Sequence, residues 1–333
     1  MTKARNIAEF ADDLSVSNGE VSIADLKPSQ SMMFRNKIIN GNFDIWQRGT
    51  SQTTDGYGSA DRWISNQNVS TKTASQQSFA NGQTDVPGNP KYYWRHVVTS
   101  GNSVDSLIAA EQRIESVQTL AGQTATLSFW AKADSNKNIS TELIQSFGFG
   151  GSSTLNTIEV RTYNLTTSWQ KFTATVSIPS ISGKTIGTNG NDCLVLLIWL
   201  DAGSVFNSRT NSLGNQSGTF DIAQVQLEKG PVATPFEHRP LAMELSLCQR
   251  YYAFFRAGGG MYWSNGNAVT TASYPVEMRD TPQSVTVNSV KTDYPVNSTW
   301  AAARITKQGF EITRSSGTSY NYVVADWTAN AEL

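Results

Sequence analysis

Charge is scarce in this chain. Lys, Arg, Asp and Glu make up 16% of its 333 residues, well under the ~25% common in globular domains. Ser, Thr, Asn and Gln take their place, and these favour turns and strand surfaces over helix. The composition is that of a β-rich protein. Its 26 basic and 27 acidic side chains are interspersed, so no basic stripe is available to neutralise a phosphate backbone, which argues against nucleic acid as a partner.

Long apolar runs are missing too. The longest, Leu194 to Leu200, is far too short to cross a bilayer. The N-terminus has no apolar signal core, so neither membrane insertion nor signal-peptide export is expected. Histidine is limited to His96 and His238, with no His-x-x-His pair and no Cys/His cluster, which removes the ligand pattern of a catalytic zinc site. No Gly-x-Ser-x-Gly elbow or P-loop occurs, and Phe147-Gly-Phe-Gly-Gly-Ser-Ser153 reads as a hairpin tip. Cys193 and Cys248, the two cysteines, are expected as buried thiols in preference to a disulfide. No period of roughly 20–50 residues repeats, which argues against a β-helix or propeller.

What is present is alternation. Ala125, Leu127, Phe129 and Ala131 fall on one face of a strand, with Thr126, Ser128, Trp130 and Lys132 on the other. Phe172, Ala174, Val176 and Ile178 alternate in the same way, as half-buried antiparallel strands do. Leu194 to Leu200 is apolar on both faces and should be a central strand. Ile38–Thr50 and Gly218–Gly230 read as the first and last strands of one sandwich. In the second of these, Phe220 and Ile222 share one phase and Ala223, Val225 and Leu227 the other, so a bulge is expected near Ile222.

Four segments follow from this pattern. Residues 1–35 form an attachment or oligomerisation arm, with Ile7, Phe10 and Leu14 on one stripe of a short helix and Ser15–Ile23 alternating like a strand. Residues 36–230 form the sandwich. Residues 231–256 are a Pro-rich connector and a helix that begins near Pro240. Within it Leu241, Leu245, Cys248, Tyr252 and Phe255 are spaced as a short heptad seam. Packing on the same chain and packing about a three-fold axis both remain open there. Residues 257–333 form a small β-domain, with Ala257–Gly260 read as a turn.

Asn40-Gly-Asn-Phe-Asp-Ile-Trp46 with Asp61-Arg-Trp63, Gly122-Gln-Thr-Ala-Thr-Leu-Ser-Phe-Trp-Ala-Lys132 and Phe220-Asp-Ile-Ala-Gln-Val-Gln-Leu-Glu228 together resemble the jelly-roll carbohydrate-binding-module fold found in bacteriophage tail-fibre and other virion proteins. Ala233–Pro240, Glu244–Tyr252, Tyr274–Pro282 and Ala325–Leu333 are similar to the join and C-terminal domain of such proteins. The resemblance implies an all-β protein: a jelly-roll sandwich, a short helix and a small C-terminal β-domain. It also implies a non-enzymatic virion appendage, trimeric, held to other virion proteins by its N-terminal arm and adsorbing to a host-surface glycan. A capsid decoration or head-fibre protein and a glycan-cleaving tailspike are the alternatives. It further implies a structural calcium, for which Asp44, Asp221 and Asn42 hold the matching places, with Asp44 standing where Glu is usual.

Glycan binding rests on aromatic planes stacked on sugar rings, with polar groups reading the hydroxyls. Trp130, Trp94, Tyr92 and Tyr93 are the candidates, whereas Trp46 and Trp63 are expected in the core. A glycosidase would need a carboxyl pair roughly 5–10 Å apart. Asp55, Asp61, Glu111, Glu115 and Asp201 could supply one, although turn or solvated roles fit each of them better.

Overall fold

The structure, a computed structural model, describes residues 16–17, 20–21, 34–260, 262–264, 267–291, 299–315 and 322–333. The expected N-terminal helix with Ile7, Phe10 and Leu14 lies outside these. The strand read over Ser15–Ile23 is instead two short strands, β1 (Val16–Ser17) and β2 (Glu20–Val21), paired antiparallel.

The sandwich is made from β3 (Ser51–Gln52), β4 (Gly56–Tyr57), β5 (Ile64–Asn68), β6 (Thr71–Ser78), β7 (Tyr92–Thr99), β8 (Leu107–Glu115), β9 (Thr124–Ala133), β10 (Lys137–Ser146), β11 (Leu155–Leu165), β12 (Gln170–Ser177), β13 (Cys193–Ala202) and β14 (Gly218–Lys229). These form two six-stranded sheets. The front sheet has the order β12-β9-β14-β7-β6-β3 and the back sheet β11-β10-β13-β8-β5-β4. Every pairing is antiparallel, and the chain crosses repeatedly between the sheets in jelly-roll fashion. The inward phases of both sheets make one core, from Leu127, Phe129, Ala174 and Phe220 in front to Leu194, Leu196 and Ile198 behind. Phe43, Trp63 and Trp94 meet at its centre with ring centroids 5.5–5.7 Å apart.

The doubly apolar run is central as expected: all ten residues of β13 are buried, between β10 and β8. The Phe147–Ser153 loop joins the antiparallel pair β10 and β11, which makes it the hairpin tip the sequence suggested. Both cysteines are buried free thiols. Burial raises the Cys193 pKa to about 11 and that of Cys248 well above its ordinary value.

Ile38–Thr50 is not a strand. It is an irregular segment laced to β14 by Lys37 N donating to Leu227 O (2.8 Å) and Val225 N to Gly41 O (2.9 Å). Asn36 Oδ1 also accepts from Leu227 N (3.0 Å). Its alternation reports burial on β14, where Ile38 and Phe43 are fully covered, with no ladder of its own.

The edge strand β11 pairs with β10 alone, and its register slips twice. Thr157 and Glu159 take positive φ at 61° and 50°. The Arg161 guanidinium pairs with the Glu159 carboxylate on this rim.

The helix spans Leu241–Gln249, and Tyr252 and Phe255 belong to a strand, so the heptad seam is not one continuous helix. It stops because the two tyrosines that follow are held by arginines of the sandwich. Arg62 lies 3.4 Å from the Tyr251 ring centroid and Arg48 3.6 Å from that of Tyr252. Of the five seam residues, Cys248 is fully buried on its own chain, and Phe255 packs against Tyr274 and Phe310. Leu241 is exposed, and Leu245 is half-buried.

The C-terminal domain adds β15 (Tyr252–Gly260), β16 (Tyr262–Ser264), β17 (Asn267–Ser273), β18 (Ser284–Lys291), β19 (Thr299–Ala303), β20 (Gly309–Ser315) and β21 (Tyr322–Asn330). They lie in sheets β15-β21-β18 and β16-β17-β20-β19 over a core with Trp327, Phe310 and Met278. Ala257–Gly260 is strand interior and not a turn. A Cβ at Gly258 would come within 1.9 Å of Val323 O, so this close strand approach requires glycine.

The two domains are locked together at the chain's last residues. Glu332 is buried and takes Arg48 (3.1 Å) and Arg62 into one ionic cluster. Arg113 Nη1 donates to Leu333 O (2.7 Å), and Arg279 Nη1 to Gly190 O (2.8 Å).

Candidate functional site

Because Phe129 and Ala131 of β9 face the core, Ser128, Trp130 and Lys132 face outward on the front sheet. By the same rule Trp94 and His96 of β7 turn in, and Tyr93 and Arg95 turn out. Register sets these in rows. Trp130 stands between Lys171 of β12 and Ala223 of β14. Asp221 stands between Arg95 of β7 and Lys132 of β9. In that second row Arg95 grips both Asp221 oxygens at 2.7 and 2.8 Å, and Lys132 Nζ lies 3.8 Å away. Phe79, Tyr93 and Trp169 close into an aromatic cluster beside it, with centroids 4.8–5.2 Å apart.

Beside Trp130 the ladder breaks. The β14 register slips between Ala223 and Gln226, and Gln224 takes a φ of 49°. This is the bulge anticipated from the phase change near Ile222. Gln224 Nε2 donates to Pro87 O (2.8 Å), which ties the neighbouring loop to the bulge. Gly88 follows with φ +79°, and a Cβ there would come within 2.5 Å of His238 Nε2, so glycine is what lets the loop meet the connector. The result is a cavity of about 500 Å³ lined by Trp130, Phe236, His238, Lys171, Gln224 and Ser128, among others. That is within the roughly 300–1,000 Å³ of small-ligand sites. Trp130 and Phe236 are half-buried, and Lys171 and His238 are exposed.

Of the four aromatic candidates, Trp130 alone lines this cavity. Trp94 is 0% exposed in the core and cannot stack on a ligand, which corrects its expected role. Tyr92 shares the strand phase of Trp94 and lies under Lys91 Nζ (4.9 Å). Tyr93 belongs to the cluster with Phe79 and Trp169. Phe236, Gln224 and His238 were not anticipated. The phase slip in β14 and the prolines around Phe236 were the available signals.

The expected calcium ligands do not form a donor set. Asp221 gives both oxygens to Arg95, whereas Asp44 accepts from Asn42 Nδ2 (2.8 Å) and its pKa is raised by burial. Asp44 and Asn42 share a cavity of only about 20 Å³ with Glu244, room for a single water. Among the described residues no three His, Cys, Asp or Glu side chains converge on a metal position, and calcium takes 6–8 oxygens.

The candidate glycosidase carboxyls are each engaged. Asp55 accepts from Gln67 N (2.8 Å), Asp61 from Gln47 N (2.9 Å) and Asp201 from Ser70 Oγ (2.5 Å) and Gln216 N (2.6 Å). Glu115 takes Arg250 (2.8 Å) and Tyr251 Oη (2.8 Å). Glu111 takes Arg113 (2.7 Å) and Asn66 Nδ2 (2.6 Å).

Glu111 and Arg113 lie in a second cavity, about 530 Å³, on the outer side of the back sheet. Its indole, Trp199, is fully buried. Phe206 packs on it at 5.2 Å, and Arg209 lies over its ring at 5.0 Å. Arg209 in turn pairs with Glu142 (2.8 Å). This groove therefore presents neutralised charges and no aromatic plane.

No family model matches the chain, and no curated protein matches it. Several solved structures are similar to part of it. A family 4 carbohydrate-binding module is 19% identical, with 57% of this chain and 98% of that one covered and a TM-score of 0.34. A putative sugar binding protein from Bacteroides thetaiotaomicron is 16% identical, with 59% and 100% covered and a TM-score of 0.37. The enzymatically active domain of tailspike protein 4 from bacteriophage CBA120 is 13% identical, with 59% of this chain but 22% of that one covered, at a TM-score of 0.33. At such scores the likeness carries no functional argument.

Proposed function

We propose that this chain is a non-enzymatic glycan-binding protein that holds a saccharide in the cavity between Trp130 and Phe236. The observation that carries this reading is a half-exposed indole beside a second aromatic ring, with amide, hydroxyl and amine groups around them. Aromatic faces match the apolar faces of sugar rings, and the polar groups supply orientation. The engaged state of Asp55, Asp61, Glu111, Glu115 and Asp201 supports binding without hydrolysis. A place in a bacteriophage tail fibre or related appendage, as a trimer, rests on the motif resemblance of the sequence.

The test is an array of oligosaccharides probed with the whole chain, followed by titration calorimetry. Trp130→Ala should lose about tenfold in affinity, near 1.4 kcal/mol, with its melting curve intact and no reducing ends released from any bound glycan. Wild-type affinity in Trp130→Ala would move the site to the back-sheet groove. No binding to any saccharide would overturn the reading.

A further inference from the structure

The charge of the front cavity is one-sided. Lys171 and His238 both line it, and its lining has no Asp or Glu. In a chain of net charge −1, several cations around the sandwich core have an acid beside them, whereas Lys37 and Lys72 meet only neutral oxygens among the described residues. Arg95 and Lys132 share Asp221, Arg113 takes Glu111, Arg209 takes Glu142, and Arg239 takes Glu237 and Glu244. Lys171 is also without an acid partner, and it is the lysine that lines this cavity. Its ammonium makes one contact, to the Thr234 carbonyl at 3.5 Å, and no ion pair among the described residues.

The acids nearest the cavity are already engaged. Glu228 is buried on β14 and holds Thr234 N (2.8 Å), Thr234 Oγ1 (2.7 Å) and Arg35 (3.7 Å). Asp221 is held by Arg95. Asp44 is outside the lining, accepts from Asn42, and its carboxyl feels both His238 and Lys91. A cation left without a counter-charge beside an aromatic plane is a recognition element for an anionic group on the ligand.

We propose that the Trp130 cavity takes a carboxylate-bearing saccharide, a uronic acid unit stacked on Trp130 with its carboxylate directed to Lys171. This rests on the glycan reading and narrows it. An anion beside Lys171 gains an ion pair that a neutral sugar does not, since the exposed ammonium is otherwise met by solvent and the Thr234 carbonyl. His238 adds a second donor for the same carboxylate or for an adjacent hydroxyl.

The experiment compares oligouronates with their carboxyl-reduced counterparts, which keep the ring and lose the charge. The whole chain is titrated with a panel containing galacturonate, glucuronate and mannuronate oligomers. At least one oligouronate should bind about tenfold more tightly than its reduced form at low ionic strength, and the gap should shrink as salt screens the pair. Lys171→Gln should remove that gap, so that the acid and reduced forms bind it with equal affinity. Trp130→Ala should weaken both forms. Equal binding of acid and reduced forms, or a gap that persists in Lys171→Gln, would overturn the acid assignment and leave the glycan reading standing. Binding confined to neutral glycans on the array would do the same. Failure of every saccharide to bind would overturn the glycan reading beneath it.

Discussion

The two outer faces of the sandwich use similar residue types to opposite ends. Each carries a tryptophan, arginines or lysines and carboxylates at alternate positions. On the back, Trp199 is roofed by Phe206 and Arg209, and the two arginines of its groove, Arg113 and Arg209, are matched by acids at 2.7 and 2.8 Å. On the front, Trp130 is left half-open and Lys171 unpaired. Composition alone does not separate a surface built for its own packing from one left incomplete. The state of the ion pairs does.

The sharpest way to break this contrast is to truncate both tryptophans. Trp199→Ala removes a fully buried indole and should cost about 3–5 kcal/mol in chemical denaturation. Trp130→Ala should cost less than about 1 kcal/mol, and equal costs would show that Trp130 is core. Next in size is the lock at the chain's end. Glu332→Ala strands Arg62 and Arg48 without their buried partner and should cost about 3 kcal/mol, read as a lower denaturation midpoint. Losing nothing there would mean that the ionic cluster is solvated.

A smaller effect separates the inner faces. His96, on the inner side of the front sheet, reaches Ser65 Oγ on the back sheet at 3.3 Å, and burial lowers its pKa to about 3. The unfolded chain takes up a proton near pH 6.5 that the native state refuses until about pH 3. Stability therefore falls as pH drops through that window, by about 1.4 kcal/mol per pH unit. At pH 5.5 the wild type should have lost about 1.4 kcal/mol that His96→Gln does not lose over the same interval. Identical pH slopes would show that the ring is hydrated. Smallest of all, Lys171→Gln should shift stability by less than about 0.5 kcal/mol, since it breaks no ion pair. A larger loss would mark Lys171 as structural and weaken its assignment to a ligand.

Much of the sandwich was legible because strand alternation writes burial directly into sequence. Leu194–Leu200, Ala125–Ala133 and the phase slip at Ile222 all translated into β13, β9 and the bulge of β14. Where prediction failed, a distant partner set the backbone. Ile38–Thr50 has a buried pattern because it lies against β14, not because it pairs in a ladder. Helical spacing past Gln249 gave way to Arg48 and Arg62 holding Tyr252 and Tyr251. The glycines at 258–260 looked like a turn because the need for space beside Val323 is not local. In the site, Trp130 was readable from its outward phase. Phe236 and His238 were not, since the connector is held on β14 by side-chain bonds, Glu237 N to Gln226 Oε1 and Thr234 to Glu228.

The kinked rim of β11 has a bearing on crowding. An open edge of eleven residues would ordinarily be a template on which another chain could continue the sheet. The left-handed residues Thr157 and Glu159 interrupt its row of free amides and carbonyls, and the Glu159–Arg161 pair adds charge that an incoming strand would have to desolvate. Copies packed side by side at high local concentration are thereby steered away from fibrous strand addition.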